Sequence, residues 1–127
     1  GQKLVPVWHM AGFLGRNVSI FDTEDKFGSE TDLLITDMEK ASALADCLID
    51  SDVALMRGHG ATIYGRTLPE AVYRAIYAEL NAQILLNSAE KGTFKALSLG
   101  ECKATVERIS PQIGRAWDLW VREVEQG

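Results

Sequence analysis

Cysteine and histidine are scarce in this 127-residue chain, with two of each, and there are only three prolines. Cys47 and Cys102 stand far apart, in no CxxC pair and in no metal-binding spacing. They read as two small buried hydrophobes in a reducing compartment, with a disulfide as the alternative. No apolar run approaches the roughly 20 residues that span a bilayer. The opening GQKLVPVWHM lacks the basic segment and long apolar stretch of a signal peptide. A cytoplasmic location is the expectation. Positive charge is also in deficit: 13 Lys plus Arg face 18 Asp plus Glu, giving a net charge of −5. That balance argues against broad binding to nucleic acid or to an anionic membrane. The sequence has no GxSxG elbow, no Walker loop and no GxGxxG, so those hydrolase, phosphate-cradling and dinucleotide readings lack their motifs.

What is present is ordinary globular composition, 46% hydrophobic and 24% charged, in a length that suits one domain with its own core. Leu4–Trp8 is extended in character, and Pro6 limits any strand there to a short or edge one. HMAGFLG (9–15) suits a helical turn, and Val18–Phe21 a short strand. The stretch DTEDKFGSETD reads as a polar loop. Helical spacing then runs through Met38, Ala41, Leu44, Ala45, Leu48 and Ile49, with Thr36 or Asp37 as cap. Val53–Met56 is a continuous apolar run, as expected of a strand covered on both faces. Ala61–Tyr64 is a second strand, and Gly58-His59-Gly60 permits a tight reversal between the two. Thr67 and Glu70 form a capping-box pattern before the longest helix, which Gly92 ends. Ser98 and Glu101 repeat the pattern for a helix to about Ile109. Ser110-Pro111 then restarts the chain into a last helix carrying Trp117 and Trp120. This order of strands and helices predicts an α/β layered domain.

The sharpest local feature is Met56-Arg57-Gly58-His59-Gly60-Ala61. A histidine between glycines at the end of a buried strand has an exposed imidazole with little steric cover, which suits a metal ligand. The alternative is a turn whose glycines serve the backbone while His59 faces solvent. Arg57 fits a structural ion pair better than a substrate contact. Glu79 is either a partner of the GHG turn or a solvated helix residue. Tyr64, Tyr73 and Tyr77 read as packing residues.

The wider context MRGHGATIYGRTLPEAVYRAIYAELNAQ resembles the class II aldolase/adducin family, with its GHG turn, a strand ending in glycine and a helix opening S/T-L-x-x-A. VPVWHMAGFLGRNVSIF is similar to the family segment upstream of the last metal ligand, and SLGECK to its L-S-x-x-E. The resemblance runs from about Leu4 to Val106, in family order and spacing. It implies a three-layer α/β/α fold with a mostly antiparallel central sheet, assembled as a homo-oligomer, with a tetramer favoured. It also implies a divalent metal, zinc first and manganese, magnesium or cobalt as alternatives, held by three histidines of which the third maps to His59. Three protein ligands leave open positions for substrate. The chain has no HxH for the other two ligands. Residues 1–127 therefore read as a partial, C-terminal portion of such a domain, with an N-terminal portion expected and the segment alone expected to be inactive.

Trp8-His9-Met10 stands where sugar-phosphate aldolases of the family read Ile-His-Tyr, so His9 matches their histidine and Met10 takes the position of their proton-donating tyrosine. HMAGFLG is more similar to decarboxylase-like members acting on hydroxylated aromatic or oxo acids. His9 is then a catalytic candidate for proton transfer, the alternative being a buried histidine bonded to backbone. The resemblance thus implies a metal-dependent carbon–carbon lyase, decarboxylase favoured. Sugar-phosphate aldolase or pentulose-phosphate 4-epimerase activity is the alternative, as is a non-catalytic adducin-head-like association module. The partner expected is a small molecule, with neither nucleic acid nor membrane.

Overall fold

The computed structural model of the chain describes residues 3–127. They form two compact units, one contiguous over Arg16–Tyr64 and one joining the residues up to Gly15 with Gly65–Gly127. Among the described residues, no helix is long and apolar enough to cross a membrane.

The contiguous unit is an α/β arrangement of β1 (Val18–Phe21), α1 (Thr23–Phe27), α2 (Met38–Asp46), β2 (Val53–Met56) and β3 (Gly60–Ile63). Its sheet has the order β1-β2-β3. β1 pairs parallel to β2, from Val18 opposite Val53 to Phe21 opposite Met56. β2 pairs antiparallel to β3, from Val53 opposite Ile63 to Met56 opposite Gly60. A parallel pair needs a long crossover, and α1 and α2 lie on it. The apolar run of β2 takes the central position, where Val53 and Ala54 are wholly buried. The buried Ser51 hydroxyl ties the strand starts together. It accepts from the Ser19 amide at 3.3 Å and the Val53 amide at 3.2 Å, and donates to the Asn17 carbonyl at 2.9 Å.

α2 starts where the capping residue sits, the Asp37 carboxylate accepting from the Lys40 amide. The stretch expected to be a plain polar loop holds α1, because Asp22 caps the Glu24 amide and two acidic residues favour the helix's positive end. Its five residues are too few to show a hydrophobic period. The second strand of the hairpin lies one residue earlier than expected, at Gly60–Ile63.

The second unit is built on α3 (Leu68–Lys91), α4 (Leu99–Ile109) and α5 (Ile113–Gln126), with a 3-10 helix at His9–Gly15 and a 3-10 turn at Ser110–Gln112 before α5. Thr67 caps α3 through the Glu70 amide, and Ser98 and Glu101 complete a reciprocal capping box on α4. The 3-10 helix lies close against α4. A Cβ at Gly15 would fall 2.6 Å from the Cys102 Cβ, and one at Gly12 3.0 Å from the Cys102 carbonyl oxygen. Cys102 is buried, and burial raises its thiol above the ordinary range, so it packs as a neutral hydrophobe. Both cysteines are free thiols.

Leu4–Trp8 does not form the expected strand. A side chain satisfies its backbone instead of a ladder. The Asn81 amide oxygen accepts from the Val7 amide at 2.8 Å and the Trp8 amide at 3.2 Å, and its nitrogen donates to the Val5 carbonyl at 2.8 Å. The Pro6 carbonyl accepts from the Leu97 amide at 2.8 Å. These bonds meet the accounting demand that a ladder would otherwise meet.

Candidate functional site

In the contiguous unit, the hairpin tip between β2 and β3 is Arg57-Gly58-His59. The His59 amide donates to the Met56 carbonyl at 3.1 Å, closing the turn. Gly58 has φ of 69° and a Cβ there would lie 2.9 Å from the Leu33 Cδ1, so both backbone and space call for glycine. The imidazole of His59 is exposed. Arg57, two residues earlier, is committed to structure: it pairs with Asp22 and, at 2.8 Å, with Glu24. Its guanidinium holds the Asp22 carboxyl below the usual range. The tip is thereby anchored to the start of α1 through Arg57, while His59 stays open.

Among the described residues no group of three or more His, Cys, Asp or Glu could hold a metal ion. The residues present therefore do not make a metal centre by themselves. His59 is an accessible imidazole that belongs to no such group among the described residues.

In the second unit, His9 opens the 3-10 helix and is exposed. Its imidazole makes no hydrogen bond among the described residues, and the ring meets that of Trp8 edge-on at 6.0 Å. The reading of a buried, backbone-bonded histidine does not hold. Its neighbour is fixed instead, since the Tyr73 hydroxyl donates to the Met10 carbonyl at 2.8 Å. Burial, with Tyr77 beside it, pushes the Tyr73 phenol above its ordinary value, which keeps it a donor. The rings of Tyr73 and Tyr77 meet at a tilt with centres 4.5 Å apart, and Tyr77 also meets Trp8 and Trp120. The tyrosines of α3 are thus packing residues that set the position of the His9-Met10 backbone.

Two cavities adjoin this histidine. The first is a narrow crevice of about 20 Å³ that reaches Glu70, Tyr73, Arg74 and Thr105, space for about one water. Glu70 is buried there. Burial pushes its carboxyl up, but hydrogen bonds from Arg66 and the charge of Arg74 outweigh this and hold it below the usual range. Arg74 meets Glu70 at 3.1 Å and lies over the Phe13 ring at 5.9 Å. The second cavity is a groove of about 700 Å³, within the size range of small-molecule sites, bordered by the 3-10 helix, α3, α4 and α5. His9, Met10 and Tyr73 line it, together with Arg108, Arg115 and Arg122. Sequence reading did not single out these arginines. The signal available was the seven-residue interval between Arg115 and Arg122, which places both on one face of a helix. Glu79 is exposed and accepts from Gln83 on its own helix.

His9 and His59 belong to different units. Comparison with known proteins covers both. The family described as Class II Aldolase and Adducin N-terminal domain matches residues 1–86. The decarboxylase tropJ of Talaromyces stipitatus is 40% identical over 148 aligned residues, which take in all of this chain and 56% of that protein. The chain thus spans about half the length of the curated relative it matches. With its glycine-bounded His59 hairpin inside the matched region, the chain belongs to the class II aldolase/adducin family.

Proposed function

We propose that the intact protein is a carbon–carbon lyase that removes carbon dioxide from a hydroxylated aromatic or oxo acid. The observation that carries this reading is the match of the whole chain to a relative named as a decarboxylase. Met10 supports it, because methionine cannot take up the hydroxyl proton that an aldol cleavage must remove as the new carbonyl forms. His9 is the group proposed to act. When the bond to the carboxylate carbon breaks, the electron pair stays on the substrate carbon, and a proton from the His9 imidazolium replaces carbon dioxide there, leaving the neutral imidazole. Exposure on the groove gives His9 access, and the Tyr73 bond to Met10 holds its backbone in place.

The same reading treats residues 1–127 as the C-terminal portion of one domain. The remainder extends the α/β arrangement into three layers with a mostly antiparallel sheet. A divalent metal, zinc favoured, would take His59 as one ligand and its other ligands from outside the described residues. The segment alone is then inactive. Exposed apolar residues such as Ile20 at 71% and Val124 at 82% support burial in a homo-oligomer, with a tetramer favoured. The location proposed is the cytoplasm.

The test is to assay the intact protein, with its native metal, on hydroxylated aromatic acids, oxo acids and ketose 1-phosphates. Carbon dioxide release from an acid is the expected result. Cleavage of a ketose 1-phosphate with no carbon dioxide from any acid would overturn the reading.

A further inference from the structure

The chain carries seven arginines. Four have carboxylate partners: Arg16 meets Asp52, Arg57 meets Asp22 and Glu24, and Arg66 and Arg74 meet Glu70. The other three, Arg108, Arg115 and Arg122, make no ion pair among the described residues, and all three line the groove beside His9. Arg122 donates from its Nε to the Asp118 carbonyl at 3.1 Å, a contact that is not an ion pair.

The groove combines this charge with an apolar wall. Met10, Ile109, Ala116 and Leu119 are among its lining residues, and Asp118 is the one carboxylate residue on the lining. Arginine presents a planar fork that matches a carboxylate, and three such forks exceed what Asp118 can offset. The adjoining crevice, with room for about one water, is too small for an organic ligand, whereas about 700 Å³ accommodates a substituted ring.

We infer that Arg108, Arg115 and Arg122 form an anion-recognition site for the carboxylate of a small organic acid whose apolar body lies against Met10, Ile109 and Leu119, bringing the acid alongside His9. The anion site stands on the groove itself, and its assignment to the substrate rests on the decarboxylase reading above. The arginines bind and orient the acid and take no proton.

The probe is 2-hydroxybenzoate, titrated calorimetrically into the full-length protein and into R108Q, R115Q, R122Q and the R115Q/R122Q pair. The neutral 2-hydroxybenzyl alcohol and inorganic phosphate serve as comparison ligands. R16Q, a residue paired in the other unit, is the control for general loss of positive charge. Each groove variant is expected to weaken 2-hydroxybenzoate by about two- to five-fold, the range for solvent-exposed ion pairs. The pair should weaken it further. R16Q should match the parent, the alcohol should bind more weakly for want of charge, and phosphate more weakly for want of an apolar body. Groove variants that bind 2-hydroxybenzoate as the parent does, or an alcohol that binds as tightly as the acid, would overturn the inference. The two readings fail separately. Carbon dioxide release with KM unchanged in the groove variants refutes the groove alone. Arginine-dependent binding without carbon dioxide release from any acid refutes the lyase reading alone.

Discussion

Replacing Asn81 by alanine removes three hydrogen bonds at once. The side chain is wholly buried on α3 and holds the amides of Val7 and Trp8 and the carbonyl of Val5. A buried polar group left without a partner costs roughly 1–3 kcal/mol. Val5, Val7 and Trp8 are only partly buried, so water reaches some of the freed groups and the low end applies. Three groups at about 1 kcal/mol each give about 3 kcal/mol for N81A. Denaturant unfolding of the intact protein measures it as a lower midpoint at unchanged slope. N81L separates bonding from packing: it restores volume without donors or acceptors and should remain about as destabilised as N81A. N81D keeps the acceptor but loses the donor to Val5 and brings a charge into a buried position, so it too should fall below the parent. The histidine that follows Trp8 should lose its fixed position, and on the proposed lyase reading carbon dioxide release should fall in N81A even where the protein remains folded. A cost below about 1 kcal/mol for N81A, or recovery in N81L, would refute the reasoning.

Three further outcomes are expected. G65A would drive a Cβ into the Ala71 backbone, 2.7 Å from its Cα, and should lose several-fold in folded yield, whereas G114A, with nothing within 4 Å, should gain about 0.5–1 kcal/mol, both read by thermal melts. Glu70 has a folded pKa below its ordinary 4.5, so its stabilising contribution is present above pH 4.5 and is lost as pH falls through the folded value; urea titrations across that window should show the acid-dependent loss in the parent and its attenuation in E70Q. H59A, altering an exposed hairpin tip, should leave the unfolding midpoint within about 0.5 kcal/mol of the parent while lowering metal content of the intact protein, measured by elemental analysis. Unchanged metal stoichiometry would remove His59 from the ligand set.

The parts legible in the sequence were those governed by near neighbours. Asp37, Thr67 and Ser98 mark helix starts because a cap is satisfied within three residues. The hairpin at Gly58-His59-Gly60 follows from two apolar runs and a glycine at positive φ. What stayed hidden depends on distant partners or on brevity. Leu4–Trp8 has the composition of a strand, but Asn81, 74 residues from Val7, takes its hydrogen bonds. The parallel pairing of β1 with β2 is invisible because alternation and apolar runs report burial and carry no information on the neighbouring strand. α1 is too short to have a period, and its cap lies inside a charged stretch that reads equally well as loop. In the same way, the exposure of His9 and the convergence of three arginines beside it require the 3-10 helix, α4 and α5 to meet. No window of sequence contains all three.

The grip of Asn81 on the segment before His9 also sets an order of events during synthesis. The unit over Arg16–Tyr64 is continuous, so all of its chain has been made once Tyr64 is added. The other unit spans the interruption, and its two parts cannot be joined at this point until Asn81 exists, 74 residues after Val7. Closing so long a loop is entropically slow relative to local contacts. On the ribosome, the hairpin bearing His59 can therefore form while the segment bearing His9 still lacks its anchor. A pulse of protease on stalled nascent chains would find Arg16–Tyr64 protected at shorter lengths than Val5–Gly15.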